Sequence, residues 1–183
     1  MNLQGESDDR LMELAASGDN VAFDQIVRRH QDRLQRFATR MLGGDQARGA
    51  DVAIGALLRL WETRRSYQPC GKLGSWLLKV TNRLCLDNLA GSSSISGLNT
   101  IGEPIAGSFH SAFERIELAA AVRTAVMELP ETHRNVLILS VYEEMSYDEI
   151  AEALEISLGT VASRKNHAIA ALRRRLTAWE TRS

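Results

Sequence analysis

Apolar residues recur at spacings of three and four along almost the whole chain, and no run of alternating apolar and polar residues has turn signals on both sides. Such spacing lines up side chains on one face of an α-helix and scatters them on a strand. The chain is therefore expected to be all-α. Leu11, Leu14 and Ala15 mark a short helix ending near Gly18. Asp19 or Asn20 then caps a longer one carrying Phe23, Ile26, Val27, Leu34, Phe37 and Leu42, stopped by Gly43 and Gly44. Val52, Leu57, Leu60 and Trp61 place a third helix over about 46–65. "SYQPCGK" breaks the pattern, since Pro69 lacks an amide donor and Gly71 admits unusual backbone angles. Leu73, Trp76, Leu77, Val80, Leu84 and Leu86 carry a fourth helix up to Leu89. Trp61 and Trp76 are expected in the core.

Composition changes abruptly at "AGSSSISGLNTIGEPIAGS", residues 90–108, where Glu103 is the only charged residue. Glycine and serine dominate there, as in a flexible linker. Helical spacing resumes near Ala112 and runs through Ile116, Leu118, Val122 and Val126, and Leu129-Pro130 opens a further helix. The expected organisation is two small helical domains, 1–90 and 112–183, joined by a tether over 91–111. A chain of 183 residues suits that division.

The formal net charge of −1 gives no global sign of a polyanionic partner, so any nucleic-acid binding must rest on a local patch. Two cysteines, Cys70 and Cys85, are too few for a disulfide framework or a four-ligand zinc site, and they suit a reducing cytosol. The four histidines are scattered over separate elements, with no glycine-rich phosphate loop and no metal-spaced acidic pair. No catalytic residue, metal or cofactor is expected. No stretch approaches the ~20 apolar residues of a membrane span, and "MNLQGESDDR" has no basic head with an apolar run behind it. The expectation is a soluble, cytoplasmic, unprocessed protein without membrane insertion, monomeric when free.

The stretch "MSYDEIAEALEISLGTVASRK", residues 145–165, carries the most specific local pattern. Ser146 with Glu149 is a capping box. Ile150, Ala151 and Leu154 are expected to face inward, with Ala151 small enough to let two helices cross closely. The chain then turns at Glu155-Ile156-Ser157, and Ser157 caps a second helix with Val161, Ala168, Leu172 and Leu176 inside. This is helix-turn-helix spacing, in which the second helix presents its first residues to the DNA major groove. Ser157, Thr160, Ser163, Arg164, Lys165, Asn166, His167 and Arg173 are the candidate DNA contacts. From Ser157 onward Arg164, Lys165, Arg173, Arg174, Arg175 and Arg182 face only Glu180 in charge, so the positive patch is local. Arg164 keeps two readings, a DNA contact or an ion pair with Glu149, and the arginine run two more, a DNA footprint or a solvated face.

With these motifs in place, the chain resembles the extracytoplasmic-function group of bacterial RNA polymerase sigma factors. "LPETHRNVLILSVYEEMSYDEIAEALEISLGTVASRKNHAIAALRRRL" resembles the domain that binds the upstream promoter element. "GDNVAFDQIVRRHQDRLQRFATRML", "ADVAIGALLRLWETRRSY" and "GSWLLKVTNRLCLDNL" resemble the domain that binds core polymerase and opens the downstream element. The resemblance implies core polymerase and promoter DNA as partners, with an anti-sigma factor as a further candidate. It implies polymerase contacts at Asp51, Ile54, Gly55, Leu58 and Arg59. It also implies capture of an extruded base by the loop around 66–71, with Tyr67, Gln68 and Lys72 as suppliers and Lys79 and Arg83 on the strand backbone.

The chain departs from the family pattern at identifiable positions. Ile54 and Gly55 stand where a glutamine and a glutamate are usual, and Asn88, Ala90 and Gly91 stand where arginines follow Asp87. Ala162, His167 and Ile169 replace basic residues of the recognition helix, and Glu155 replaces the turn glycine, which predicts a strained or differently closed turn. Two other readings therefore stand beside a promoter-specificity subunit. One is a sigma-like decoy that sequesters an anti-sigma factor or polymerase; the other is a stand-alone helix-turn-helix regulator.

Overall fold

The computed structural model describes residues 3–91 and 112–180, and side chains within 3–90 and 116–177. All regular structure among the described residues is helical: α1 (Asp8–Ala16), α2 (Asn20–Met41), α3 (Gln46–Thr63), α4 (Leu73–Gly91), α5 (Ala112–Met127), α6 (Glu131–Val141), α7 (Tyr147–Leu154) and α8 (Leu158–Glu180). The expected all-α class is the one observed. The expected tether, apart from Gly91, lies outside the described residues. The chain divides into two units, 1–39 with 46–93 and 40–45 with 94–183.

In the first unit the local signals act as their chemistry requires. Ser7 caps α1 by accepting from the Arg10 amide at 3.2 Å. Asp19, of the two residues able to do it, caps α2: its Oδ1 accepts from the amides of Val21 and Ala22 at 2.9 and 3.1 Å. Leu11, Met12, Ile26, Leu34, Phe37, Leu60, Leu73 and Leu77 form the fully buried interior. α3 packs along α4 and stops two residues short of the expected Arg65. Near its start α3 closes tightly on α2, because a Cβ added to Gly49 would stand 2.9 Å from the Thr39 amide nitrogen.

Trp61 and Trp76 depart from expectation, being half-buried rather than in the core. Trp61 meets the Phe23 ring edge-on at a centroid distance of 4.8 Å, and the Arg64 guanidinium stacks 3.6 Å above it. On α4 the buried face is made by Leu73, Leu77 and Leu78 and continues through Thr81 and Cys85. The Thr81 hydroxyl is satisfied by donating to the Leu77 carbonyl at 2.7 Å. Burial pushes the Cys85 thiol up to about 12, against a smaller opposing pull from Arg48.

In the second unit α5, α6 and α7 all pack on α8. Val136, Ile138, Ile150, Val161 and Ala168 are fully buried between them. Arg134 is 7% exposed. Its guanidinium donates to the carbonyls of Val126, Met127 and Leu129 where α5 ends, the Val126 carbonyl also accepting from the Leu129 amide. The capping box at α7 is complete: Ser146 Oγ accepts from the Glu149 amide, and Glu149 Oε2 accepts from the Ser146 amide at 2.8 Å. The small residue buried on α7 is Ala153; Ala151 and Leu154 are only half-buried, because the helix is rotated relative to the expected inward face.

Candidate nucleic-acid interface

The turn from α7 to α8 is closed by Glu155 in the left-handed region, φ 55° and ψ 43°. The Ile156 amide beyond it donates back to the Ala151 carbonyl at 3.0 Å. A non-glycine residue therefore makes the turn that glycine makes without a Cβ penalty. Ser157 follows as the cap of α8, accepting from the Thr160 amide at 3.1 Å while its hydroxyl lies 2.8 Å from that of Thr160.

The sequence candidates on α8 separate into two groups. Ser163, Asn166, His167 and Arg173 are exposed, Ser163 and His167 one and two turns beyond half-buried Thr160. Arg164 and Lys165 lie to the side: both are half-buried, and the Lys165 ammonium sits 5.1 Å from the Tyr147 ring centroid on α7. The arginine run divides as well. Arg175 pairs with Glu128 at 3.1 Å and donates to the Ala125 carbonyl, which binds it to α5. Arg173 and Arg174, together with Arg175, line a cleft with His133 and His167, whose rings are 5.9 Å apart. His133 was not singled out by its sequence neighbourhood; α6 brings it to the α8 face. Burial lowers its pKa from the ordinary imidazole value, with His167 and Arg164 adding repulsion.

In the first unit Asp51, Ile54, Leu58 and Arg59 are exposed along one stripe of α3, with Gly55 half-buried among them. Ile54 and Leu58 are each 56% exposed, a large apolar surface to leave in water. They help line a groove of about 610 Å³ between α2 and α3, with Phe23, Val27 and Gln31 opposite. A Cβ on Gly55 would stand 3.4 Å from Leu84 Cδ1 on α4, an ordinary van der Waals contact.

Of the loop between α3 and α4, Gln68 and Lys72 are exposed and Tyr67 is half-buried. The Tyr67 hydroxyl donates to Asp9 Oδ1 at 3.1 Å, and the Gly71 amide donates to Asp9 Oδ2 at 2.8 Å. Burial and the adjoining Asp9 carboxylate together raise the phenol far above its ordinary pKa. Half-buried Lys79 and exposed Arg83 follow on α4, and Trp76 falls in the same register between Lys72 and Lys79. That four-three-four spacing was the available sequence signal for Trp76, masked by its apolar neighbours.

A family model for sigma-70 region 2 matches residues 26–94, and one for sigma-70, region 4 matches residues 119–172. The chain is 31% identical over 172 residues to the ECF RNA polymerase sigma factor SigM of Mycobacterium tuberculosis, covering 93% of this chain and 85% of that one. The chain belongs to the extracytoplasmic-function sigma factors. It is also 28% identical over 171 residues to the sigma factor SigW of Bacillus subtilis, with 87% and 91% covered. Its fold is similar to that of CnrH, solved in complex with the cytosolic domain of CnrY: the TM-score is 0.71 at 24% identity, with 93% and 97% covered. As a sigma factor, the protein directs RNA polymerase to promoters. The region 4 match takes in the α7–α8 turn and the exposed α8 face as far as Leu172, and the region 2 match takes in the groove from Ile26 onward, the loop and α4. α1, with Asp9, lies outside both.

Proposed function

We propose that this sigma factor divides its work between residues 1–90 and 112–183, with 91–111 as the tether. The α3 stripe of Asp51, Ile54, Gly55, Leu58 and Arg59 binds core polymerase. Tyr67, Gln68 and Lys72 receive an extruded base of the downstream element, and Trp76, Lys79 and Arg83 follow the melted strand. Ser157, Thr160, Ser163, Asn166, His167 and Arg173 meet the upstream element, with Arg164 and Lys165 at the margin. The observation that carries this reading is the exposed α8 face: a capped helix start, then hydroxyls, an amide and a cation at groove-facing spacing.

The protein makes and breaks no bond itself; it acts in the cytoplasm, where polymerase is, as a free monomer until it binds. No described helix is long and apolar enough to cross a membrane. An anti-sigma factor is proposed as a further partner, covering the same faces. The test is reconstitution with core polymerase, selection of bound sequences from a randomised promoter library, and transcription from the winners. Transcripts that depend on this chain and on its selected sequence support the reading.

A second reading is favoured by the exposed Ile54 and Leu58, which give the polymerase-facing stripe an apolar surface. A decoy would bind core enzyme, or an anti-sigma factor, yet yield no transcript from any selected sequence. Under that reading Ile54→Gln with Gly55→Glu restores transcription.

A further inference from the structure

The loop joining α3 to α4 has no fully buried residue from Arg64 to Lys72. A segment with so little core contact takes its shape from polar anchors. Asp9, on the first turn of α1, supplies two at once, one carboxylate oxygen to the Tyr67 hydroxyl and the other to the Gly71 amide. The two bonds grip the loop on both sides of its Gln68-Pro69-Cys70 tip. Gly71 has φ +71°, and nothing lies within 4 Å of the place a Cβ would occupy. Glycine is therefore required there by backbone conformation, the conformation that the Asp9 bond holds, and not by crowding.

The platform beneath Asp9 is itself fixed. Asp8 is bonded by Arg29 at 3.0 Å and by His30 at 2.7 Å, both on α2. Arg29 also donates to the carbonyls of Leu3, Gln4 and Glu6, and Leu11 and Met12 are buried one turn further on. At the loop's far end, a Cβ on Gly74 would stand 3.7 Å from His30 Cε1, so α4 starts against the same part of α2.

We infer that Asp9 is the positioning residue of the base-receiving loop, its carboxylate presetting the shape in which the loop accepts an extruded base. This rests on the reading of Tyr67, Gln68 and Lys72 as base contacts. Extruding a base is unfavourable, and a receptor already ordered adds nothing further to that cost. With its hydroxyl engaged by Asp9, Tyr67 offers the base its ring, by stacking. Asp9 touches no DNA in this account.

The test uses the full chain assembled with core polymerase and a bubble template whose unpaired non-template strand is selected from a randomised pool by the unmodified protein. A loop that spends about a tenth of its time in the competent shape binds about tenfold more weakly. Asp9→Ala should therefore lose about tenfold in bubble affinity, with core-polymerase affinity unchanged. Asp9→Asn, which replaces one accepting oxygen by a donor and so keeps only one acceptor for the two loop groups, should fall between. Tyr67→Phe should weaken binding in the unmodified background and add nothing to Asp9→Ala, since both remove the same bond. 2-Aminopurine in the unpaired strand should report less base extrusion in Asp9→Ala.

Unchanged bubble binding by Asp9→Ala and Asp9→Asn overturns the inference, as does an equal loss in core binding, which would mark a general structural role. Tyr67→Ala and Lys72→Ala separate the two levels of the argument. If they too leave bubble binding intact, the loop reading itself fails; if they weaken it while the Asp9 variants do not, only the role of Asp9 fails. Should Asp9→Ala not fold, Asp9→Asn with Tyr67→Phe decides the same question.

Discussion

At the scale of single residues, three positions carry packing or backbone constraints of their own. Gly49 is needed because α2 and α3 approach too closely for a side chain, with the Thr39 backbone 2.9 Å from a Cβ. Backbone yields less readily than a side-chain tip, so Gly49→Ala should cost about 1–3 kcal/mol. A fall in the urea midpoint at constant slope would show it, and an unchanged midpoint would contradict the close approach. Glu155 is the reverse case. It holds a left-handed conformation costing an L-residue roughly 1 kcal/mol, and Glu155→Gly relieves that strain at the expense of a freer unfolded chain. A net gain of a few tenths of a kcal/mol in the same denaturation measurement is expected. Arg134 has no such slack, since its removal leaves the carbonyls at the end of α5 without their donor.

At the scale of elements, the α7–α8 pair depends on local capping and on charge gathered from other helices. Ser146→Ala removes the acceptor of the Glu149 amide and should destabilise by about 1 kcal/mol, read by thermal or chemical unfolding. His133 gives the α6–α8 packing a pH dependence whose sign follows from its lowered pKa. The unfolded chain holds the proton more tightly than the folded one, so stability falls as pH drops through 6.5 toward the lower folded value. Burial, His167 and Arg164 all oppose the imidazolium, and Glu128 is the acid in the lining of the cleft. His133→Gln should flatten the slope of melting temperature against pH in that window. Arg173→Ala should leave stability alone and reduce the salt dependence of upstream-element binding by about one unit, the mark of one lost phosphate contact.

At the scale of the whole molecule, a net charge of −1 means that affinity for DNA comes from a few helix faces, while an apolar stripe is available for a protein partner. Leu58→Asp should weaken core-polymerase binding by ten- to a hundredfold, about 1.5–3 kcal/mol for one apolar side chain left unburied. Competition against labelled unmodified protein measures it, with unfolding as the control. An unchanged affinity would place the polymerase contact elsewhere on the chain. The helices and both family regions were legible in the residues, because spacing, caps and the α7–α8 turn are short-range features. Trp61 and Trp76 were placed too deep for a related reason: periodicity shows which face is apolar, but how deeply a face is covered depends on the elements packed against it.

The sequence by itself determined a helical chain, the Ser146 and Ser157 caps, a turn at Glu155 made without glycine and membership of a sigma factor family. Each of those is encoded within a few residues or in motif order. Tertiary structure alone decided that Asp9 holds a loop 58 residues away, that Thr39 demands Gly49, that Arg175 belongs to α5 while Arg173 faces outward, and that His133 joins His167. These pairings depend on where chain crossings bring distant residues together. A carboxylate, a glycine or an arginine carries no local mark of the partner that the fold will bring to it.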